Sequence, residues 1–160
     1  LEYETAESVQ LTDMPEAETL PNAEELETRF EQLMNLRADV LKALEEARDE
    51  KVIGKSLEAK ATIALPEGFE EKYMGEDINF AQFFIVSEFE IVPWDTLEKE
   101  YNVAKVQITE ADGEKCERCW TIRPSVGNHE AYPELCESCA ETVDAYYKDV
   151  VEEERMKEEE

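Results

Sequence analysis

The chain has 160 residues, of which 42% are hydrophobic, so one domain of ordinary size with a real core can form. Its formal net charge of −26 describes a strongly solvated surface that repels phosphate and anionic membranes at long range. No run approaches the roughly 18 apolar residues that a membrane-spanning helix needs, and the opening "LEYETAESVQ" lacks the basic and apolar regions of a signal peptide.

Residues 1–21 are acidic, broken by Pro15 and Pro21, and read as an extended lead-in. Because it starts at Leu1 rather than Met, the chain is expected to be a piece of a longer protein. Asn22, with Glu25 three residues on, predicts a capping box. Leu26, Phe30, Leu33, Val40, Leu44 and Ala47 then recur at steps of three and four, with Arg37 in the one polar slot. That stripe predicts a helix over 22–51, with acids in its first turns, Arg48 and Lys51 near its end, and Gly54 as its stop.

"SLEAKATIAL" (56–65) alternates as a half-buried strand does, with Leu57, Ala59, Ala61, Ile63 and Leu65 on one side. Pro66 ends it, and residues 67–79 suit a short helix or loop. "FFIVSEFEIV" (83–92) is β-branched and aromatic and predicts a second strand, stopped by Pro93. Trp94 opens a linker with a helical turn, and "NVAKVQITEA" (102–111) predicts a third strand. After the cysteines, "AETVDAYYKDVVEEERMKEEE" reads as a helix fading into an acidic tail. The class is α+β: one long helix, a small, mostly antiparallel sheet of about three strands, and a four-cysteine knuckle module towards the C-terminus. The expected divisions are 1–55, 56–111, 112–145 and 146–160.

The four cysteines fall as Cys116-x2-Cys119-x16-Cys136-x2-Cys139, the spacing of two zinc knuckles. Two intervening residues allow a tight turn to aim both sulfurs at one point, and two such turns complete a tetrahedron. Disulfides would want an oxidising compartment, a thioredoxin-like site would use a single pair, and an iron–sulfur cluster accepts the same four thiolates. With four sulfurs bound, Zn²⁺ has no open position, so the site is structural rather than catalytic. Binding would supply roughly 10–16 kcal/mol to a knot too small to fold alone. His129, the single histidine, is expected as an exposed loop residue and not as a ligand.

Charge relents over 101–127, where four acids face Lys105, Lys115, Arg118 and Arg123. Tyr101 and Trp120 lie in the same stretch. Cations beside aromatics can hold phosphate and stack an unpaired base; equally, Trp120 can cover the zinc sulfurs, while Arg118 and Lys115 balance thiolate charge.

"KCERCWTIRPSVG" and "PELCESCAETV" resemble the C-terminal zinc-binding segment of bacterial isoleucyl-tRNA synthetases. "FEQLMNLRADVLKALEEARDEKVIGKSLEAKATIAL" is similar to the passage after that family's anticodon-binding helical bundle. "FFIVSEFEIV" and "VAKVQITEADGEKCERC" fall in the family's order, so the likeness runs from about residue 8 to 145. The resemblance implies a parent that joins isoleucine to tRNA(Ile) with ATP, in the cytoplasm, as a monomer. It implies Cys116, Cys119, Cys136 and Cys139 as ligands of one Zn²⁺, and Arg118 and Trp120 as RNA contacts; Lys115, Arg123 and Lys105 join them as candidates from the local charge pattern. ATP would act in a catalytic domain outside this chain, and the other domains of the parent would be its partners. No catalytic residue is expected here. The His-x-Gly-His signature needs two histidines, no Lys-Met-Ser-Lys-Ser-like loop occurs, and Lys55-Ser56 reads as a turn. Two other functions compete. One is a DNA-repair glycosylase type of finger, which counts less because 140–160 follow the last cysteine; the other is a docking knot with no nucleic-acid contact.

Overall fold

The computed structural model describes residues 8–12, 14, 16, 18 and 20–150. Helix α1 (Ala23–Asp49) is followed by strand β1 (Ala59–Ala64), the short helices α2 (Phe69–Tyr73) and α3 (Phe80–Phe84), and strands β2 (Glu88–Val92) and β3 (Lys105–Glu110). The hairpin β4 (Glu114–Lys115) and β5 (Ile122–Arg123) and helix α4 (Glu137–Tyr146) complete the described chain. The α+β class and the three-stranded sheet are as expected. The end of the acidic tail, 151–160, lies outside the described residues.

The sheet order is β2-β1-β3. Its β1–β3 pair is antiparallel, with Ala61 opposite Ile108, and its β1–β2 pair is parallel, with Ala61 opposite Phe89. A parallel pair needs a crossover long enough to return the chain to the same end of the sheet. The segment carrying α2 and α3 provides it. Ala59, Ala61 and Ile63 face inward on β1, while Lys60 on the other face reaches Glu90 at 2.7 Å. The predicted alternation holds from Ala59 to Ile63, whereas Ser56–Glu58 form a 3-10 turn rather than the start of the strand, and Ala64 is buried as well.

Helix α1 spans nearly the predicted residues, and the predicted stripe is buried at Leu33, Val40, Leu44 and Ala47 but not at its N-terminal end. Leu33, Leu36, Val40, Ala43, Leu44 and Ala47 are buried, whereas Phe30 is 41% exposed. Leu36, Val40, Ala43, Leu44 and Ala47 form one cluster with Ala59, Ala61, Ile63, Phe69, Phe84, Val86 and Val106, so α1 and the sheet share a core. Asn22 stands at the N-cap without a side-chain capping bond, so the predicted capping box is not made. The C-terminus also differs. The left-handed residue is Lys51 (φ 61°), three residues before Gly54, and the Lys51 and Val52 amides bond back to Arg48 and Ala47. Those two bonds define a Schellman ending.

The largest departure is at 80–87. "FF" closes a helix instead of opening a strand. Asn79 caps α3 by accepting the Gln82 amide, and Phe84 is fully buried among Phe80, Phe83 and Phe89, with centroids 5.3 to 6.2 Å apart. A local cap and an aromatic cluster outweigh the strand propensity of the residues. Arg37, the polar slot in the predicted stripe, donates from Nε to the Phe83 carbonyl at 2.9 Å and so fastens α1 to the end of α3.

Candidate metal centre

Gly113 opens the hairpin that presents the first knuckle. Its φ is +111°, and a Cβ there would meet the Arg123 carbonyl carbon at 2.3 Å, so only glycine fits. Within Cys116–Trp120 the Trp120 amide bonds the Cys116 carbonyl at 2.8 Å, and the Cys116 amide bonds the Thr121 carbonyl at 3.0 Å. The second knuckle is the start of α4. The Cys139 and Ala140 amides bond the Cys136 carbonyl, which places Cys139 one turn inside the helix.

The result is convergence. The four cysteine sulfurs lie within 4.8 Å of one another, and Cys119 Sγ stands 3.9 Å from Cys136 Sγ. A tetrahedron with Zn–S bonds of about 2.3 Å has edges of about 3.8 Å. Cys116, Cys136 and Cys139 are buried and Cys119 is exposed, with Val126 and Leu135 packed against the cluster. The donors turned towards the sulfurs suit thiolates. The Cys136 amide reaches Cys116 Sγ at 3.3 Å, and Arg118 Nη1 reaches Cys139 Sγ at 3.5 Å.

Burial opposes ionisation of Cys116, but amide hydrogen bonds from Cys119, Cys136 and Arg118 outweigh it and bring the thiol down to about 6. Burial pushes Cys136 up to about 12 and Cys139 upward, the latter opposed by Arg118. A set of four sulfurs already converged, with amides aimed at them, fits one tetrahedral Zn²⁺. Coordination by four thiolates fills the sphere and leaves a structural role.

The flanking residues are placed unequally. Trp120 is not part of the cover over the sulfurs. It is 62% exposed, with φ +65° and its indole N–H on the Glu117 carbonyl at 3.1 Å. Lys115 pairs with Glu117 at 3.1 Å and lies 5.9 Å from the Trp120 ring centroid. Arg118 points to Cys139, and Arg123 is exposed on β5 with Nε 3.4 Å from Thr121 Oγ1. Lys105 stands at the other end of β3, its ammonium on the Trp94 carbonyl at 3.2 Å and over the Trp94 ring at 4.6 Å. The structure therefore brings Lys115, Arg118, Trp120 and Arg123 around the knuckle and holds Lys105 elsewhere. His129 is half-buried instead of exposed, because it stacks on Tyr132 and sits 3.4 Å from Asp144.

Sequence reasoning missed Ser87. Its buried hydroxyl donates to the Leu57 carbonyl and accepts the Ile122 amide at 2.7 Å, which joins the knuckle to the sheet. A lone serine in an apolar run was the only available signal.

The family model described as "Zinc finger found in FPG and IleRS" matches residues 113–142. Isoleucine–tRNA ligase 1 of Oceanobacillus iheyensis is 48% identical over 144 residues, 90% of this chain. The isoleucine–tRNA ligases of Bacillus cytotoxicus and Bacillus cereus are 46% and 48% identical over 149 and 151 residues, each 89% of the chain. The chain spans about 16% of the length of these relatives.

Proposed function

The chain belongs to the isoleucine–tRNA ligase family, of which it carries a zinc module, and we propose that this module helps hold tRNA(Ile). The ATP-dependent aminoacylation itself would be carried out by domains outside this chain, in a cytoplasmic parent. The match over nine tenths of the chain favours a synthetase over a glycosylase-type finger, since the finger model alone names both kinds of protein.

The observation that carries the RNA-holding reading is Trp120. A bulky residue in left-handed backbone costs about 1–2 kcal/mol, yet here it keeps a large aromatic ring outside the metal cluster and open to solvent. Lys115 beside the ring and Arg123 on the same hairpin supply positive charge in an otherwise acidic chain. An open aromatic face with cations nearby stacks an unpaired base and holds its phosphate.

The test is Trp120→Ala in the full-length parent, with zinc content verified. The KM for tRNA should rise about tenfold, while amino-acid-dependent pyrophosphate exchange, which needs no tRNA, stays unchanged. An unaltered KM with intact zinc would reject RNA contact. It would favour a second reading, supported by the Ser87 clasp, in which the finger only fastens the chain to its neighbours.

A further inference from the structure

The four sulfurs are not equally protected. Cys116, Cys136 and Cys139 are buried, whereas Cys119 is exposed. A cleft of about 740 Å³ between α3 and the finger reaches the centre, with Cys119, Cys136, Thr121 and Arg123 in its lining. A ligating thiolate that small solutes can reach is the nucleophile an oxidant meets first.

Thr121 stands over that exposed sulfur. Its hydroxyl lies 3.0 Å from Cys119 Sγ, and its carbonyl accepts the Cys116 amide at 3.0 Å, so one residue bonds to both cysteines of the first knuckle. The partners of the hydroxyl decide its direction. Arg123 donates from Nε to Thr121 Oγ1 at 3.4 Å, and a ligating sulfur carries no proton, so the hydroxyl proton goes to the sulfur. The next amide along the chain, that of Ile122, is anchored on the Ser87 hydroxyl at 2.7 Å, which holds Thr121 in place. A donor turned on a ligating sulfur draws off the electron density with which it would attack.

We propose that Thr121 guards the zinc centre against oxidation, and that Cys119 is the ligand through which peroxide opens the finger. The Cys119 sulfur attacks one peroxide oxygen, the O–O bond breaks, hydroxide leaves and the cysteine becomes a sulfenic acid. Cys136 Sγ, 3.9 Å away, then attacks that sulfur and expels a second hydroxide, which leaves a Cys119–Cys136 disulfide. Two thiolates have passed two electrons to one peroxide, and two of the four ligands are lost. A thiol reductant reverses the disulfide, so the centre is a reversible switch whose threshold Thr121 sets. This inference stands on the sulfur geometry and does not depend on what the finger holds.

The test follows peroxide-driven zinc release from the full zinc-loaded chain with a chromogenic chelator. It compares wild type, Thr121→Val, Thr121→Ser and Thr28→Val, the last an exposed threonine on α1. Thr121→Val should release zinc about tenfold faster, the weight of one hydrogen bond to a charged acceptor, and Thr121→Ser should stay within about twofold of wild type. Thr28→Val should match wild type. Without peroxide, loss of zinc to the chelator should be the same in every variant. Brief peroxide treatment of wild type with dimedone, a sulfenic-acid trap, should tag Cys119 first. Longer treatment without the trap should give the Cys119–Cys136 disulfide in peptide mass spectra. A wild-type rate for Thr121→Val would overturn the guard. Equal acceleration with and without peroxide, or less than one zinc per chain before peroxide is added, would make Thr121 a residue of the fold and overturn it too. First tagging of Cys116, Cys136 or Cys139 would overturn the assignment of Cys119.

Discussion

Asp39 carries more of this fold than its place on a helix suggests. It is 5% exposed, and its carboxylate accepts the amides of Asn102, Val103 and Ala104 at 3.1, 2.6 and 3.1 Å. One side chain of α1 thereby holds the turn that enters β3. Replacement by alanine strands three amides beside a buried surface, and we expect a loss of about 2–4 kcal/mol in urea unfolding. Asn keeps one acceptor oxygen and should lose about half as much. Equal losses for both variants would show that the charge, not the hydrogen-bond count, is what matters. Gly113 is the other residue without a substitute, since any Cβ collides with backbone of β5.

Helices α1 and α3 both end without glycine where the backbone turns left-handed. After α3, Ile85 has φ 59° and the Ile85 and Val86 amides bond back to Gln82 and Ala81. Ile85 is β-branched and 48% exposed, so it bears the strain and gains little from burial. Ile85→Gly should raise stability by about 1 kcal/mol, read as a shift of the urea midpoint at constant slope; a fall would mean that the side chain packs more than its exposure suggests. Helix α1 is also tied near its end by charge. Lys99 pairs with Glu46 at 2.8 Å, and the Tyr101 hydroxyl donates to the same carboxylate. The bond from Lys99, then that from Tyr101, holds Glu46 below its ordinary value of 4.5. A carboxyl that titrates lower when folded lends stability present above that ordinary value and lost as pH falls through the folded one. The stability gap between wild type and Glu46→Gln should therefore be constant near neutral pH and narrow below about pH 4.5. A gap unchanged down to pH 3 would show that the ion pair contributes nothing.

At the scale of the molecule the described residues form two buried centres: an apolar one joining α1 to the sheet, and a sulfur one holding the knuckles. Among the described residues the second has Val126 and Leu135 as its apolar packing against the cysteines, too little to fold without a metal. Removal of zinc should raise amide exchange across 112–140 while α1 and β1 stay protected. Uniform loss of protection would show that the sheet depends on the finger through the Ser87 clasp. Protein purified without chelator and under reducing conditions should carry about one zinc per chain.

By itself the sequence determined the metal centre, because the spacing of four cysteines dictates geometry through covalent reach alone. It determined the long helix and β1 for a similar reason, since 3.6- and 2-residue periods are local properties of backbone. It placed Leu33, Val40, Leu44 and Ala47 of α1 inside, but did not determine how far along the helix the buried face extends. Phe30 fits the stripe as well as Leu36 does, and only the position of the sheet chooses between them. Nor could it tell that "FF" ends a helix, that Lys105 is held by Trp94, or that Trp120 stands clear of the sulfurs. Each of those depends on partners at a distance along the chain, and their energies are settled only when the core has closed. The two Ser87 bonds, to Leu57 and to Ile122, belong to the same class, since they join residues 30 and 35 positions apart along the chain.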